Sequence, residues 1–541
     1  MKKNILFFVL FLSFCSFSQV QDAWVYFKNK PNSTTFLANP LTMLTQRSLD
    51  RRSVQNISLN IIDVPIHQPY IDMITIAFGI TVKAKSKWMN CLHIQGTQSD
   101  INALLSFTFV DHVEFADRTL NNKNVNNNQI NIPVNKNFST TTSFNYGTSS
   151  NQISMLNGNL LHQQNFTGLG LQIAIFDAGF PNVDIAQPFA RLLSNNAILG
   201  GYNFVNRNSN FYTGNSHGTL VLSCMGGYKD NQLVGTAPDA KYYLYITEDT
   251  TSEKIIEESN WVEAAEEADR VGVDIITSSL GYFDYDNPAH SHTYADMTGN
   301  KSFISRGANL AFSRGIIVVA SAGNSGGSAD PYVAVPAEAT NVLAIGAVKA
   351  DRNYASFSSI GPSFDGRIKP DVMAQGQASV LSNTSGNITS ANGTSFSCPI
   401  LAGMVACLWQ ALPNLTNQQI ISLIKQSSDK YTSPDAQYGY GIPDFQKAIN
   451  LNLSLNSIPK PNLLEDFVFY QTPNAEYISF AFPKGILKAT VNLYDVLGKF
   501  IYQKNITPDD NFIPVSTWNL GVYVFNIDAG SKIQNGKFLK K

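Results

Sequence analysis

Between about residues 150 and 450 the chain repeats one pattern, and that pattern narrows the available folds more than any other feature. Leu171 to Phe176, Val273 to Ile276, Gly315 to Ala320 and Val342 to Val348 are short apolar runs without strict polar alternation. A strand with one wet face alternates, whereas a strand buried on both faces does not. Helix-length stretches lie between these runs, at Glu253 to Arg270 and Ser302 to Ser313. Strand, helix and strand in that order connect most simply by right-handed crossovers. The spacing predicts an α/β fold, a parallel sheet flanked by helices, over residues 151–452.

The remaining segments read differently. Lys2 and Lys3 precede an unbroken apolar run, Ile5 to Leu12. Ser16 and Ser18 suit the −3 and −1 positions of a cut before Gln19, so residues 1–18 read as a signal peptide. Residues 19–117 mix strand-like stretches (Asp22 to Phe27, Ile74 to Val82) with a helical one (Thr42 to Arg52), as in a small α+β unit. A linker over 118–150 follows, with an Asn-rich tract from Asn121 to Asn137 that lacks periodicity and suits processing. Over 459–541, Tyr477 to Phe482, Thr490 to Asp495 and Gly521 to Ile527 are short strands, predicting a β-sandwich-like module. No run after the signal reaches the ~18 apolar residues of a membrane span, so export of the rest is expected.

Composition closes off several functions. The net charge is −2 and only 14% of residues are charged, which excludes an electrostatic nucleic-acid binder. With 44% hydrophobic residues the chain is not disordered. Five cysteines cannot build a dense disulfide framework. Cys15 leaves with the signal, and Cys224, Cys398 and Cys407 remain after processing. Cys224 and Cys407 sit among apolar neighbours and read as packing residues.

The chemistry lies where the central strands end. Asp177 directly follows the run ending at Phe176, and Asn324 follows the run ending at Ala320. In open α/β sheets, ligands bind outside the carboxyl ends of the strands. His217 opens a helical stretch in Asn-Ser-His-Gly-Thr, and Ser395 opens another in Asn-Gly-Thr-Ser-Phe-Ser-Cys-Pro. Helix N-termini favour developing negative charge. Each residue alone reads as a cap or turn; an acid, an imidazole, an amide and a hydroxyl facing one cleft read as a hydrolase. A rival nucleophile is Ser325, in Gly323-Asn-Ser-Gly-Gly327, which fits the Gly-x-Ser-x-Gly elbow. That fold needs a histidine after the serine, and none of the seven histidines follows Ser325.

On these segments the chain resembles the subtilisin-like serine proteases (subtilases). The order Asp177, His217, Ser395 matches, and Gly235-Thr-Ala-Pro-Asp-Ala240, Ser279-Leu-Gly281, Ser356-Phe-Ser-Ser-Ile-Gly-Pro362 and Asp365-Gly-Arg-Ile-Lys-Pro-Asp371 also look like family segments. The resemblance implies an Asp-His-Ser triad, Asn324 in an oxyanion hole, and Ser279, Leu280 and Gly281 as a substrate-pairing edge. Residues 19–117 resemble an inhibitory propeptide. The C-terminal strands, with Gly521-Val-Tyr-Val524 and Gly536-Lys-Phe-Leu-Lys-Lys541, resemble the sorting domain of the Bacteroidetes type IX secretion system.

The expected protein is therefore a secreted or cell-surface serine endopeptidase made as a zymogen. Its expected partners are protein or peptide substrates, its own propeptide as an intramolecular inhibitor and the type IX machinery, with no nucleic acid; a monomer is expected. The chemistry requires no cofactor. Structural calcium is common among relatives, but no ligand spacing for it is recognisable. His290-x-His292 lacks a third metal ligand and reads as a substrate-side loop. Two departures from the family matter: Ala178 stands where Ser or Thr usually follows the Asp, and Phe396 stands where Met usually follows the Ser. The alternative is a catalytically inactive protein using the same fold for binding or adhesion.

Overall fold

Period-two alternation decides how the amino-terminal unit is built. In the computed structural model, which describes residues 19–121, 144–456 and, between 467 and 540, all but 472–476, 484, 496–497 and 531, four strands open the chain. They are β1 (Val20–Phe27), β2 (Thr81–Ser86), β3 (Cys91–Thr97) and β4 (Val110–Phe115), in an antiparallel sheet of order β2-β3-β1-β4. Along β1, Ala23, Val25 and Phe27 face the unit's own core with Leu92 and Ile94. Trp24 and Tyr26 point the other way, into a core shared with the α/β unit. The sheet thus has two dry faces, one of them an interface.

Of the stretch Ile74 to Val82, only Thr81 and Val82 are strand, the start of β2. Helix Gln68–Thr75 occupies its start, with a proline in the first turn, where a missing N–H is harmless. Gly79 then turns the chain with φ +70° into β2. The signal segment and most of the Asn-rich tract lie outside the described residues.

The central sheet has seven parallel strands. These are β5 (Gln172–Asp177), β6 (Ile198–Asn203), β9 (Lys241–Ile246), β10 (Ile275–Ser278), β11 (Ile317–Ser321), β12 (Leu343–Val348) and β13 (Val372–Gln375), after a minor hairpin β7 (Tyr228–Lys229) and β8 (Leu233–Val234). The order is β13-β12-β11-β10-β5-β9-β6. From β5 the chain moves outward to β6 and β9, then crosses to β10 and continues the other way. The reversal puts a crevice at the carboxyl ends of β5 and β10.

Both faces of this sheet are dry, as the non-alternating runs require. Ile173 and Ile175 of β5 join one core with helices His217–Gly226 and Thr394–Ala411. Ala174 and Phe176 join the other core with helices Ile256–Val271 and Phe303–Ser313. Helix Thr394–Ala411 is long and apolar enough to cross a membrane, but it is the buried core helix of this unit. A short hairpin, β14 (Ser379–Ser382) and β15 (Ile388–Ala391), precedes it.

Residues up to Asn452 form one compact unit and those from Leu453 a second. The second holds a three-stranded sheet of β16 (Val468–Gln471), β17 (Tyr477–Ala481) and β20 (Phe512–Pro514). Its other sheet has β18 (Ala489–Asp495), β19 (Phe500–Ile506), β21 (Gly521–Asp528) and β22 (Ile533–Lys540). Ile478 and Phe480 of one sheet and Val491, Leu493 and Phe525 of the other share a single core, so the two sheets form a sandwich.

Candidate active site

Segments distant in sequence meet in the crevice. Asp177 ends β5 and is fully buried. Its Oδ1 accepts from the Ala178 backbone N–H at 2.8 Å and from His217 Nδ1 at 2.8 Å. An ionised carboxylate can only accept, so this bond puts the imidazole proton on Nδ1 and leaves Nε2 as the acceptor. His217 is the first residue of its helix, and its backbone N–H donates to Asn215 Oδ1 at 3.0 Å. The Asp177 charge raises the His217 pKa above the usual histidine value, against the opposing effect of burial. Asp177 Oδ2 is buried and has no hydrogen-bond partner among the described residues. The neighbouring Ala178 has no hydroxyl to offer it.

Ser395 lies in the first turn of helix Thr394–Ala411. Gly393 before it has φ +151° and donates to Gly376 O at 2.8 Å, a conformation that favours glycine and sets the entry angle of the helix. Pro399 explains how this helix joins the substrate-side edge. A helical residue four after Ser395 would donate its N–H to the Ser395 carbonyl, and proline has none. That carbonyl instead accepts from Ser279 Oγ at 2.9 Å. In return, Ser395 Oγ donates to Ser279 O at 3.4 Å and makes no hydrogen bond to His217. The Phe396 ring stands 6.0 Å from the His217 ring, centre to centre.

Asn324 is held by its oxygen, and its Nδ2 has no acceptor among the described residues. Asn324 Oδ1 accepts from Thr394 N at 2.9 Å and from Thr394 Oγ1 at 3.1 Å. Thr394 Oγ1 in turn accepts from Gly323 N at 3.2 Å. Gly323 has φ +105°, and a Cβ there would sit 2.8 Å from Ser359 Oγ. With Oδ1 committed, the Asn324 Nδ2 donors are left for a ligand oxygen. Ser325 is exposed, and its N–H donates to Ser359 Oγ at 3.0 Å. Ser279 and Leu280 are buried just beyond β10, whereas Gly281 is exposed. An antiparallel bridge pairs the next residue, Tyr282, with Val335.

The histidine pair belongs elsewhere. His292 is buried, donates from Nε2 to Glu258 Oε1 at 2.6 Å and meets Arg118 of the amino-terminal unit through Nδ1. Its loop is therefore part of the docking face for that unit and not a substrate-side loop. Among the described residues, no three His, Cys, Asp or Glu side chains converge as a metal cage.

The same docking face carries contacts the sequence did not reveal. Arg51 and Arg52 donate to Asp269 at 2.6 Å each, and Arg52 also reaches Asp63 at 2.7 Å, all buried. Glu266 accepts from Ser86 Oγ and from the Lys87 and Trp88 backbone N–H groups at 2.6–2.9 Å. Trp24 stacks on Phe303 at 4.7 Å and donates to Ser259 Oγ at 2.9 Å. Thr394 and Glu248 are two further residues of the crevice that the sequence did not single out.

Comparison with known proteins gives these segments a family. Residues 168–441 match the Subtilase family, residues 22–131 the Peptidase S8 propeptide domain of Bacteroidota, and residues 468–541 a secretion system C-terminal sorting domain. Subtilisin NAT of Bacillus subtilis subsp. natto is 31% identical over 300 residues, covering 55% of this chain and 70% of its own. A subtilisin of Bacillus pumilus is 30% identical over 300 residues, 97% of its own length. The serine protease AprX of Bacillus subtilis (strain 168) is 29% identical over 318 residues, 53% of this chain and 67% of its own. The sorting domain marks the chain for secretion or cell-surface attachment.

Proposed function

The chain belongs to the subtilase family, a serine endopeptidase family, and from that premise we propose that Asp177, His217 and Ser395 are its catalytic triad and that it is made as a zymogen. The observation that carries this reading is the hydrogen bond from His217 Nδ1 to buried Asp177, 2.8 Å long, in the crevice that also holds Ser395. His217 Nε2 takes the Ser395 proton as Oγ attacks the scissile carbonyl, then passes it to the leaving amine. Asp177 holds the imidazole tautomer and stabilises the imidazolium. The Asn324 Nδ2 and Ser395 backbone N–H groups receive the oxyanion; losing one such donor typically lowers the rate ~10²–10³-fold. For this, Ser395 Oγ must leave Ser279 O and turn toward His217.

The substrate lies along Ser279, Leu280 and Gly281 as an added antiparallel strand, held mainly by its backbone. The amino-terminal unit serves as an intramolecular inhibitor, released by processing in the 118–150 linker, and the C-terminal module is read by the type IX machinery. The opposing reading, an inactive binding protein, draws on the Ser395 Oγ bond to Ser279 O and on the unpaired Asp177 Oδ2. Wild type and Ser395→Ala, followed for propeptide cleavage and casein hydrolysis, separate the two. The protease reading requires that only wild type cut casein. Equal processing with no casein hydrolysis by either protein would sink it.

A further inference from the structure

Where β6 meets β9, the face of the central sheet turned toward the amino-terminal unit is not filled. Their pairing sets Tyr202 beside Tyr245 and Gly200 beside Tyr243, and Gly200 has no side chain to cover its neighbour. A cavity of about 630 Å³ is left between the amino-terminal and α/β units, the size of a small-molecule site. Tyr202, Phe204, Tyr243 and Tyr245 line it on the α/β side, and Lys85 and Lys87, in and just after β2, line it on the other. The four rings form a continuous wall. Their centres lie 4.9 Å apart from Tyr202 to Phe204, 5.7 Å from Phe204 to Tyr245 and 6.0 Å from Tyr245 to Tyr243.

The charge left over around this cavity is positive. Glu263 pairs with Arg207 and Glu267 with Arg270, while Glu266 accepts from Ser86, Lys87 N and Trp88 N. These carboxylates are spent. The Lys85 and Lys87 ammonium groups form no ion pair or hydrogen bond among the described residues. The uncommitted neutral groups are donors too. Tyr245 is 2% exposed, yet its hydroxyl is not sealed from the cavity and forms no hydrogen bond among the described residues. The hydroxyls of half-buried Tyr202 and Tyr243 are unpartnered in the same sense. By contrast, buried Tyr242 and Tyr285 donate to Ala237 O at 2.7 Å and Glu258 Oε1 at 2.9 Å. Burial raises the Tyr245 hydroxyl well above the usual tyrosine value, so it stays a protonated donor. A buried donor without an acceptor points to a ligand that supplies one.

We propose that this cavity binds an aromatic carboxylic acid, with its carboxylate on Lys85, Lys87 and the Tyr245 hydroxyl and its ring against the tyrosine wall. Charge-assisted hydrogen bonds hold the carboxylate, and offset or edge-on contacts hold the ring. A cation finds no free carboxylate here, and a neutral arene leaves both ammonium groups unpaired. The acid is either free or the aromatic carboxyl-terminal residue of a peptide. Because one wall comes from each unit, the ligand binds the docked state and not the separated parts. By linkage it stabilises docking and slows release of the amino-terminal unit. Binding is independent of the protease reading above; the effect on release rests on it.

The test titrates the full chain carrying Ser395→Ala, by calorimetry, with 2-naphthoate, N-acetyltryptophan and the uncharged 2-naphthamide. A carboxylate probe should bind one-to-one with a Kd below about 1 mM, and the tighter of the two separates a free acid from a peptide end. The amide should bind about tenfold more weakly or worse. Tyr245→Phe should weaken binding about three- to tenfold, and Lys85→Met with Lys87→Met about tenfold or more. In wild type, 2-naphthoate should slow release of the amino-terminal unit, with half its effect near the Kd. No binding of either carboxylate at about 5 mM, equal binding of 2-naphthoate and 2-naphthamide, or unchanged affinity in both variants would overturn the site. Binding with no slowing of release would overturn its bridging role. Failure of wild type to release the unit even without ligand would count against the zymogen reading and leave the binding results standing.

Discussion

Ala178→Ser is expected to make the protein both more stable and more active. Asp177 is fully buried and carries two acceptors in one carboxylate. Oδ1 serves Ala178 N and His217 Nδ1, and Oδ2 serves nothing. A buried polar atom left unpaired costs about 1–3 kcal/mol, and more when charged. A hydrogen bond to a charged group contributes about 1.5–3 kcal/mol, and burying the new hydroxyl offsets part of that, leaving a net gain of about 1 kcal/mol. For a unit of this size, that is a rise of about 1–2 °C in Tm, read in a Ser395→Ala background to prevent self-digestion.

The catalytic effect comes from orientation. The added bond stops rotation of the carboxylate and keeps Oδ1 aimed at His217. It also draws some charge from Asp177, which opposes the gain, so kcat/KM should rise by no more than about tenfold. Ala178→Thr against Ala178→Val isolates the hydroxyl, because the two side chains have nearly the same shape. Thr should exceed Val in both Tm and kcat/KM. Equal values for Thr and Val, with Ser indistinguishable from wild type, would refute the idea that the unpaired Oδ2 limits this enzyme.

Three other outcomes are expected. His217 must be neutral to act as a base, and its pKa is raised by Asp177, so kcat/KM should fall as pH drops through a midpoint above 6.5; Asp177→Asn should move that midpoint down. By the same sign, the Asp177–His217 pair stabilises the fold fully below pH 6.5 and loses that contribution as pH rises through the folded value. Peroxide should inactivate the enzyme slowly, because Phe396 offers no thioether next to Ser395, and burial pushes the Cys398 thiol up to about 12, far from its reactive thiolate; rapid loss in Cys398→Ala would contradict this. Arg52→Met leaves the processed enzyme's own sequence unchanged but breaks a buried pair with Asp269, a loss of about 3 kcal/mol or more. The inhibition constant of the propeptide, read by titrating casein hydrolysis of the processed enzyme, should then rise roughly hundredfold.

The sequence disclosed the centre of the fold best because burial on both faces leaves a plain mark. β5, β10, β11 and β12 all lie within two residues of the apolar runs. β6 and β9 left a weaker mark, since Gly200, Gly201 and the tyrosines of β9 break up any apolar run. Ile74 to Val82 carries strand-favouring residues, while the proline and glycine that set its geometry lie at Pro69 and Gly79. In the crevice, Asp177, His217, Asn324 and Ser395 were legible from their flanking strands and helices. The Ser279–Ser395 link was not, because it depends on a carbonyl freed by Pro399 and a partner 116 residues away. Glu248 carries no motif; the pairing of β5 with β9 sets Ile246 beside Asp177 and so brings Glu248, two residues on, to the same end of the sheet. His292 is a similar case, because its partners are Glu258 and Arg118, both distant in sequence.

The most direct measurement is to treat the processed protein with a fluorophosphonate, which phosphonylates only a serine hydroxyl activated by a base, and to locate the adduct by peptide mass spectrometry. The expected result is one adduct, on Ser395, formed rapidly by wild type and lost in His217→Ala. An adduct on Ser325, or labelling of Ser395 at the same rate without His217, would contradict the assignment of this triad.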